Sequence, residues 1–166
     1  SAESDVYKRQ ELIESEAKRS NYKRSPLEIN KEGFQKFIEN FPYELTPDQL
    51  KCSHSLINDF NSPKMMDRLI CGEVGFGKTE MALRASYISY MNGFQVCLMV
   101  PTTILAEQHY ETFTKRFSGY DVDVVLLTRN LSTQEKKDVY LKILNQPNLI
   151  VIGTHALMNN KLDFNN

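Results

Sequence analysis

Residues 72–79 of the chain are Gly-Glu-Val-Gly-Phe-Gly-Lys-Thr, which matches the pattern G-x-x-x-x-G-K-[ST] in full. Residues 67–71 before it predict a short buried strand, and residues 80–85 after it are strong helix formers. A strand, a glycine-rich loop and a helix N-terminus in this order direct backbone N–H groups and the helix dipole at a phosphate. The sequence therefore predicts a nucleoside triphosphate site here; the alternative is a glycine-rich turn that only caps a helix.

Residue types within this phosphate loop (residues 72–79) define its expected chemistry. Lys78 can reach the β and γ phosphates, and the hydroxyl of Thr79 can coordinate Mg²⁺. We therefore expect Lys78 and Thr79 to be the catalytic residues of this segment and Thr79 to be the metal ligand. The expected nucleotide contacts along it are Gly72, Glu73, Val74, Gly75, Phe76, Gly77, Lys78, Thr79 and Glu80.

Composition sets only loose limits on function. The 166 residues suit one domain with a helical extension, and 20 basic against 21 acidic residues give a net charge of −1. The net charge therefore does not indicate whether the chain binds nucleic acid, and any such contact must come from the local placement of basic and polar residues. The three histidines lack metal-ligand spacing, and no Ser-His-Asp or Cys-His arrangement indicates a nucleophile.

The cysteines and the N-terminus predict a cytoplasmic location. Three cysteines are widely spaced, and Cys71 and Cys97 lie in apolar runs, so we expect buried free thiols of a reducing compartment. The N-terminus is charged rather than signal-like, and no apolar run approaches the length of a membrane span.

Helices are expected in the first third of the chain. Residues 3–24 are highly charged with a thin apolar stripe, which predicts a helix lying on a neighbouring surface. Residues 33–41 carry phenylalanines and an isoleucine at helical spacing. Thr46 followed by Pro47 is an N-cap with proline at the first helical position, and that helix should run to about Phe60.

Strands and helices then alternate. Buried strands are expected at 95–100, 122–127 and 149–152, and helices at 103–117 and 132–144, the latter opened by a capping box at Ser132. Continuous apolar strands separated by helices are typical of a parallel sheet covered by helices on both faces. The fold class is therefore α/β.

Polar residues follow the predicted strands where an open parallel sheet presents its ligands. Thr102 and Thr103 follow one strand, Arg129 follows the next, and Gly153-Thr154-His155 follows the last. Hydroxyls, helix-end N–H groups and a cation suit a grip on a phosphodiester backbone without reading bases. Plain N-capping by the threonines is the alternative. Lys136 and Lys137 are interpreted as a solvated helix face.

Gln49 is a candidate for base recognition. A glutamine amide can pair with N6 and N7 of adenine, and Phe41 or Tyr43 could stack on the base. Without the phosphate loop, Gln49 would be an ordinary polar residue in the first turn of a helix.

Together these residues resemble the first motor domain of a superfamily 2 DNA helicase or translocase. Residues 41–49 (F-P-Y-E-L-T-P-D-Q) look like the adenine-reading Q-type motif of the family, residues 72–79 like motif I, 101–108 like motif Ia and 152–155 like motif Ic. Within the superfamily the pattern is most similar to the bacterial transcription-repair coupling factors, with RecG-like branched-DNA helicases as the alternative. The resemblance covers about residues 33–160.

The resemblance implies a RecA-like P-loop lobe that binds ATP and Mg²⁺, with residues 1–32 as a connector and 33–166 as the lobe. The family moves on double-stranded DNA by hydrolysing ATP, removes stalled RNA polymerase and promotes nucleotide excision repair. RNA polymerase and excision-repair proteins would bind through domains outside this chain. No D-E-x-H motif precedes Asn166, so we expect a lobe truncated before its Walker B motif and no ATP hydrolysis by the chain alone.

Two alternatives of another class remain at this point. A small-molecule P-loop kinase would share the phosphate loop, although the Q-type and Ia-like segments argue against it. A non-catalytic interaction module, docking through residues 1–40, would carry a vestigial nucleotide site.

Overall fold

A computed structural model of the chain describes residues 22–73 and 77–155. They belong to two compact units, one drawn from Ser1–Glu28 and Leu45–Lys78 and the other from Ile29–Glu44 and Thr79–Asn166. Most of the helix expected over 3–24 lies outside the described residues. Residues 22–24 are described and are not helical, since Lys23 forms an isolated antiparallel bridge with Lys64.

The described residues contain five helices and three strands. In chain order they are α1 Lys31–Glu39, α2 Pro47–Phe60, α3 Lys78–Met91, β1 Val96–Met99, α4 Thr103–Arg116, β2 Asp123–Leu127, α5 Thr133–Asn145 and β3 Leu149–Gly153. Each helix or strand expected between residues 33 and 60 and between 95 and 153 is present, with ends shifted by no more than a few residues. No helix among the described residues is long and apolar enough to cross a membrane.

Helix α2 of the first unit begins as its sequence predicts. The hydroxyl of Thr46 accepts from the Gln49 backbone N–H at 3.3 Å, and Gln49 Oε1 accepts from the Thr46 N–H at 2.8 Å. This reciprocal capping box, with Pro47 in the first turn, satisfies backbone donors that a helix start otherwise leaves unpaired.

The prediction of a strand over residues 67–71 is wrong. The segment has no ladder partner among the described residues, and Leu69 is 88% exposed. Arg68 instead forms an ion pair with Asp59 of α2, and this contact raises the pKa of Arg68. A strand must pair its backbone groups with a neighbour, and Leu69 and Ile70 alone supply too little apolar surface to bury the segment.

The sheet of the second unit is parallel, with strand order β1-β3-β2. Every residue of the central strand β3 is buried, which agrees with its continuous apolar sequence. Helix α4 packs on β2 and β3, and α5 packs on β2. The buried residues of one core cluster are Val125, Leu127, Ile143, Leu149 and Val151.

Aromatic rings join α1 to α3 in the same unit. Phe37 is fully buried, and its ring stacks on that of Tyr87 with centroids 4.4 Å apart. A Cβ at Gly33 would lie 2.8 Å from the Tyr87 hydroxyl oxygen, so a side chain at this position would require the Tyr87 ring to shift.

The expectation of buried thiols is also wrong. Cys71 and Cys97 are both exposed, and Cys52 is half-buried. Residue 71 belongs to the segment that forms no strand. Cys97 lies on edge strand β1, where exposure alternates with sequence, and it falls with Met99 on the open face.

Candidate nucleotide and nucleic-acid sites

The phosphate loop enters α3 at Lys78. Gly77 has φ +78°, a left-handed conformation that favours glycine. The Lys78 ammonium donates to the carbonyl oxygens of Gly72 and Glu73, the latter at 2.8 Å, so it contacts the first two residues of the phosphate loop. Thr79 is half-buried in the first turn of α3. Val74, Gly75 and Phe76, which the sequence also assigns to the nucleotide, lie outside the described residues.

Gln49 lies directly against this loop. A Cβ added to Gly77 would lie 2.9 Å from Gln49 Nε2, so a side chain at this position would displace the amide. Gln49 is 9% exposed, and its Oε1 takes part in the capping box with Thr46. The contact with the phosphate loop fits a role at the nucleotide, and the capping box gives the amide a structural role as well. Adenine recognition by Gln49 stays a prediction.

The two candidate base-stacking rings differ in exposure. Tyr43 is 72% exposed, whereas Phe41 is half-buried. The rings meet edge to face with centroids 5.5 Å apart, and the guanidinium of Arg116 lies 5.8 Å from the centroid of Phe41. Of the two, Tyr43 offers the open face that stacking on a base requires.

Glu80, expected to contact the nucleotide, is almost completely buried in the second unit. Its carboxylate accepts hydrogen bonds from Arg84 and Arg116 at 2.8 Å and 3.1 Å. The side chain therefore serves an internal ion cluster, and only its backbone in the first turn of α3 stays a predicted nucleotide contact.

The three strand ends of the second unit form one open groove of about 700 Å³. Because Met99 and Leu127 both pair with Gly153 across the parallel sheet, the loops that follow the strands begin at one edge. We call this the strand-end groove. It is lined by Pro101, Thr102, Thr103, Ile104, Arg129, Thr154 and His155.

Five of the six residues expected to contact a nucleic-acid backbone therefore lie together. Gly153 does not line the groove; it ends β3, and its carbonyl accepts from the Val100 N–H at 2.9 Å. Thr102 caps α4 by accepting from the Leu105 N–H at 3.2 Å, as the capping alternative expects. That bond uses the hydroxyl oxygen as acceptor and leaves the O–H able to donate to a phosphate oxygen.

Two basic residues that the sequence analysis did not assign to either site make contacts with residues that it did assign. The Lys136 ammonium donates to the Arg129 carbonyl oxygen at 3.0 Å, so a second cation lies beside a residue that lines the groove. The contact joins the loop after β2 to α5, and no spacing in the sequence predicts it. Arg116, which contacts Glu80 and Phe41, gave no sequence signal because both contacts are tertiary.

Residues 46–165 match the family model described as "DEAD/DEAH box helicase". The chain is 43% identical over 155 residues to a transcription-repair-coupling factor of Haemophilus influenzae and 38% identical over 154 residues to that of Escherichia coli. Each alignment covers 93% of this chain but only 14% and 13% of those relatives.

A solved structure of RecG bound to a three-way DNA junction has the same fold. It aligns with a TM-score of 0.84 and 36% identity, covering 92% of this chain and 21% of that one. The expected RecA-like α/β fold and the resemblance to coupling factors are thus confirmed, and the chain belongs to the DEAD/DEAH box helicase family.

Proposed function

We propose that the chain is the ATP-binding part of the first motor lobe of a DNA translocase, with residues 33–166 in the lobe and 1–32 as a connector. The observation that carries this proposal is the strand-end groove. Three loops separated in sequence bring hydroxyls, a helix N-terminus and a cation to one edge of the sheet.

The groove suits a phosphodiester backbone. Thr102, Thr103 and Thr154 supply hydroxyls, and the first N–H groups of α4 have no partner within the helix. Arg129 and His155 are exposed at the same edge, and Arg129 supplies positive charge. Such donors hold phosphate oxygens irrespective of sequence, as a motor that moves along DNA requires.

The residues of the phosphate loop fit ATP with Mg²⁺. Gly77 adopts a left-handed conformation that favours glycine, and a Cβ there would displace the amide of Gln49. Lys78 would exchange its two loop carbonyls for phosphate oxygens, the Thr79 hydroxyl would hold Mg²⁺, and Gln49 would face the adenine edge. Bound Mg²⁺ would neutralise charge on the β and γ phosphates.

The wider role rests on the relatives. The chain spans about one seventh of the coupling factors that it matches. We propose that the complete protein moves on double-stranded DNA in the cytoplasm, removes stalled RNA polymerase and promotes nucleotide excision repair. RNA polymerase and repair proteins would bind through parts outside this chain.

A RecG-like branched-DNA helicase is the second candidate, favoured by the structural match to RecG on a three-way junction. ATP turnover by the complete protein on linear duplex and on a three-way junction separates the two. A coupling factor should be stimulated by linear duplex, and a RecG-like enzyme mainly by the junction.

Lys78→Ala tests the assignment of the motor. In the complete protein this variant should lose ATP turnover in the presence of DNA, whereas Lys36→Ala, at an exposed lysine of α1, should keep it. The chain's 166 residues contain no D-E-x-H motif to organise Mg²⁺ and water, so the chain alone should release no phosphate above background. Wild-type turnover by Lys78→Ala would refute the proposal.

A further inference from the structure

A buried ion cluster lies immediately after the phosphate loop. Glu80 accepts from Arg84 Nε at 2.8 Å and from Arg116 Nη2 at 3.1 Å and 3.4 Å, through one and then the other carboxylate oxygen. The side chains are 2%, 6% and 8% exposed in that order. Buried charges must be paired, so the geometry of the cluster is tightly constrained.

The two arginines differ in what they connect. Arg84 is four residues from Glu80 on α3, so their ion pair lies within one helix. Arg116 is the last residue of α4, and its ion pair joins α4 to the first turn of α3. The Glu80–Arg116 pair is therefore a link between two helices, and the Glu80–Arg84 pair is its natural comparison.

Each end of this link leads to a proposed site. Glu80 directly follows Thr79, the expected Mg²⁺ ligand. Helix α4 runs from Thr103 in the strand-end groove to Arg116, a span of about 20 Å at 1.5 Å per residue. Packed, rigid secondary-structure elements are one means by which a displacement at one site reaches another, and α4 connects Arg116 to the groove in this way.

The same guanidinium also contacts the aromatic segment. Its carbon lies 4.7 Å from the ring centroid of Phe37 and 5.8 Å from that of Phe41, and Phe41 in turn meets Tyr43. Burial lowers the pKa of Arg116 while Glu80 raises it, and an arginine so paired stays charged at neutral pH. Arg116 thus touches the expected base-stacking segment, the helix of the phosphate loop and the helix of the groove.

We propose that Arg116 is a positioning residue that couples nucleotide binding at the phosphate loop to backbone binding in the strand-end groove. The inference deepens the proposed function and rests on it. When a nucleotide shifts the first turn of α3, the buried pair carries Glu80 and Arg116 together, and α4 moves the groove loops with them. Coupling of this kind is reciprocal, so DNA in the groove should also change the affinity for nucleotide.

Arg116→Met and Arg84→Met form the matched pair of variants. Each removes one arginine, and Glu80 keeps the other as a partner, so neither leaves the buried carboxylate bare. Methionine also fills much of the arginine volume with a flexible apolar chain. The measurement is steady-state ATP turnover by the complete protein, with and without DNA, together with DNA affinity in the presence and absence of a non-hydrolysable ATP analogue.

In Arg116→Met, the stimulation of ATP turnover by DNA should fall at least about fivefold, which is the lower end of the range by which one ligand usually changes the affinity for another. The effect of nucleotide on DNA affinity should fall by a similar factor, and turnover without DNA should change little. In Arg84→Met, both ratios should stay within about twofold of wild type. Arg116→Lys keeps the charge but cannot present the planar fork, so it should lie between wild type and Arg116→Met.

Equal losses of coupling in Arg116→Met and Arg84→Met would overturn the inference, because the cluster would then act only by stabilising the fold. Unchanged coupling in a folded Arg116→Met would also overturn it. If thermal melting shows that Arg116→Met does not fold, Arg116→Lys takes its place. A loss of coupling no larger than that of Arg84→Met would then overturn the inference. A wild-type protein whose ATP turnover does not respond to DNA would instead refute the proposed function itself.

Discussion

Gly77→Ala should destabilise the first unit by more than its backbone conformation alone explains. Gly77 and Gly93 both have φ +78°, and an alanine held there costs about 1–2 kcal/mol. A Cβ at Gly93 meets nothing within 4 Å, so strain is its whole penalty. Alanine also stabilises by about 0.4–1 kcal/mol through the unfolded chain, which leaves a net cost near 1 kcal/mol at Gly93.

At Gly77 the added Cβ would lie 2.9 Å from Gln49 Nε2, and the amide must move. Gln49 Oε1 accepts from the Thr46 N–H at 2.8 Å, so that movement breaks a bond of the capping box. Loss of such a hydrogen bond costs about 0.5–1.5 kcal/mol. We therefore expect Gly77→Ala to cost about 2 kcal/mol, roughly 1 kcal/mol more than Gly93→Ala.

Urea unfolding of the chain and its variants measures the free energies. The double variant Gln49→Ala with Gly77→Ala isolates the contact, because without the glutamine amide the Cβ has nothing to displace. In that background Gly77→Ala should cost only about 1 kcal/mol, and the cycle should show an interaction of about 1 kcal/mol. Equal penalties at Gly77 in the presence and absence of Gln49 would show that the amide does not lie against the loop.

Three further outcomes are expected. In the complete protein Arg129→Ala should reduce the log–log salt dependence of DNA binding by about one unit, whereas Lys137→Ala should not. Gln49→Ala should lower the ATP-over-GTP preference in kcat/KM roughly 5- to 100-fold, since an amide–adenine pair discriminates by about 1–3 kcal/mol; an unchanged ratio would leave Gln49 with its capping role. Hydrogen bonding with the side chain and the backbone of Ser132, whose N–H donates to Glu135 Oε2 at 2.7 Å, lowers the pKa of Glu135. The stability this contributes is complete above the unfolded pKa of about 4.3 and is lost as pH falls through the lower folded pKa, so urea midpoints of wild type and Glu135→Gln should converge in acid.

Features set by neighbours in sequence were predicted well. The capping boxes at Thr46 and Ser132 are local, because a hydroxyl and a glutamine or glutamate three residues later meet in the first turn of any helix. Strands β2 and β3 carry enough consecutive apolar residues to be recognised without a partner. The strand-end groove was also predictable, because parallel strands place their carboxyl ends at one edge.

Features set by distant partners were not predictable. Residues 67–71 have strand-like composition, but a strand exists only where a neighbour accepts its hydrogen bonds. Cys97 lies in an apolar run, yet its exposure depends on which face of edge strand β1 is covered. The contact of Lys136 with Arg129 and the pair of Glu80 with Arg116 join residues from different elements, and no spacing in the sequence encodes either.

The composition of the strand-end groove suggests why a nearly neutral chain could serve a motor. Arg129 and Lys136 would release only one or two counterions from DNA, so most of the proposed grip would come from hydroxyls and helix-end N–H groups. Such neutral donors fix direction and distance to a phosphate without a large electrostatic binding energy. A weak, well-oriented grip can be released in every cycle of ATP turnover, whereas a strongly basic groove would hold the DNA in place. Extra positive charge in the groove should therefore slow translocation while tightening DNA binding. Ile104→Arg, at the lining of the groove, tests this through the DNA affinity and the translocation rate of the complete protein.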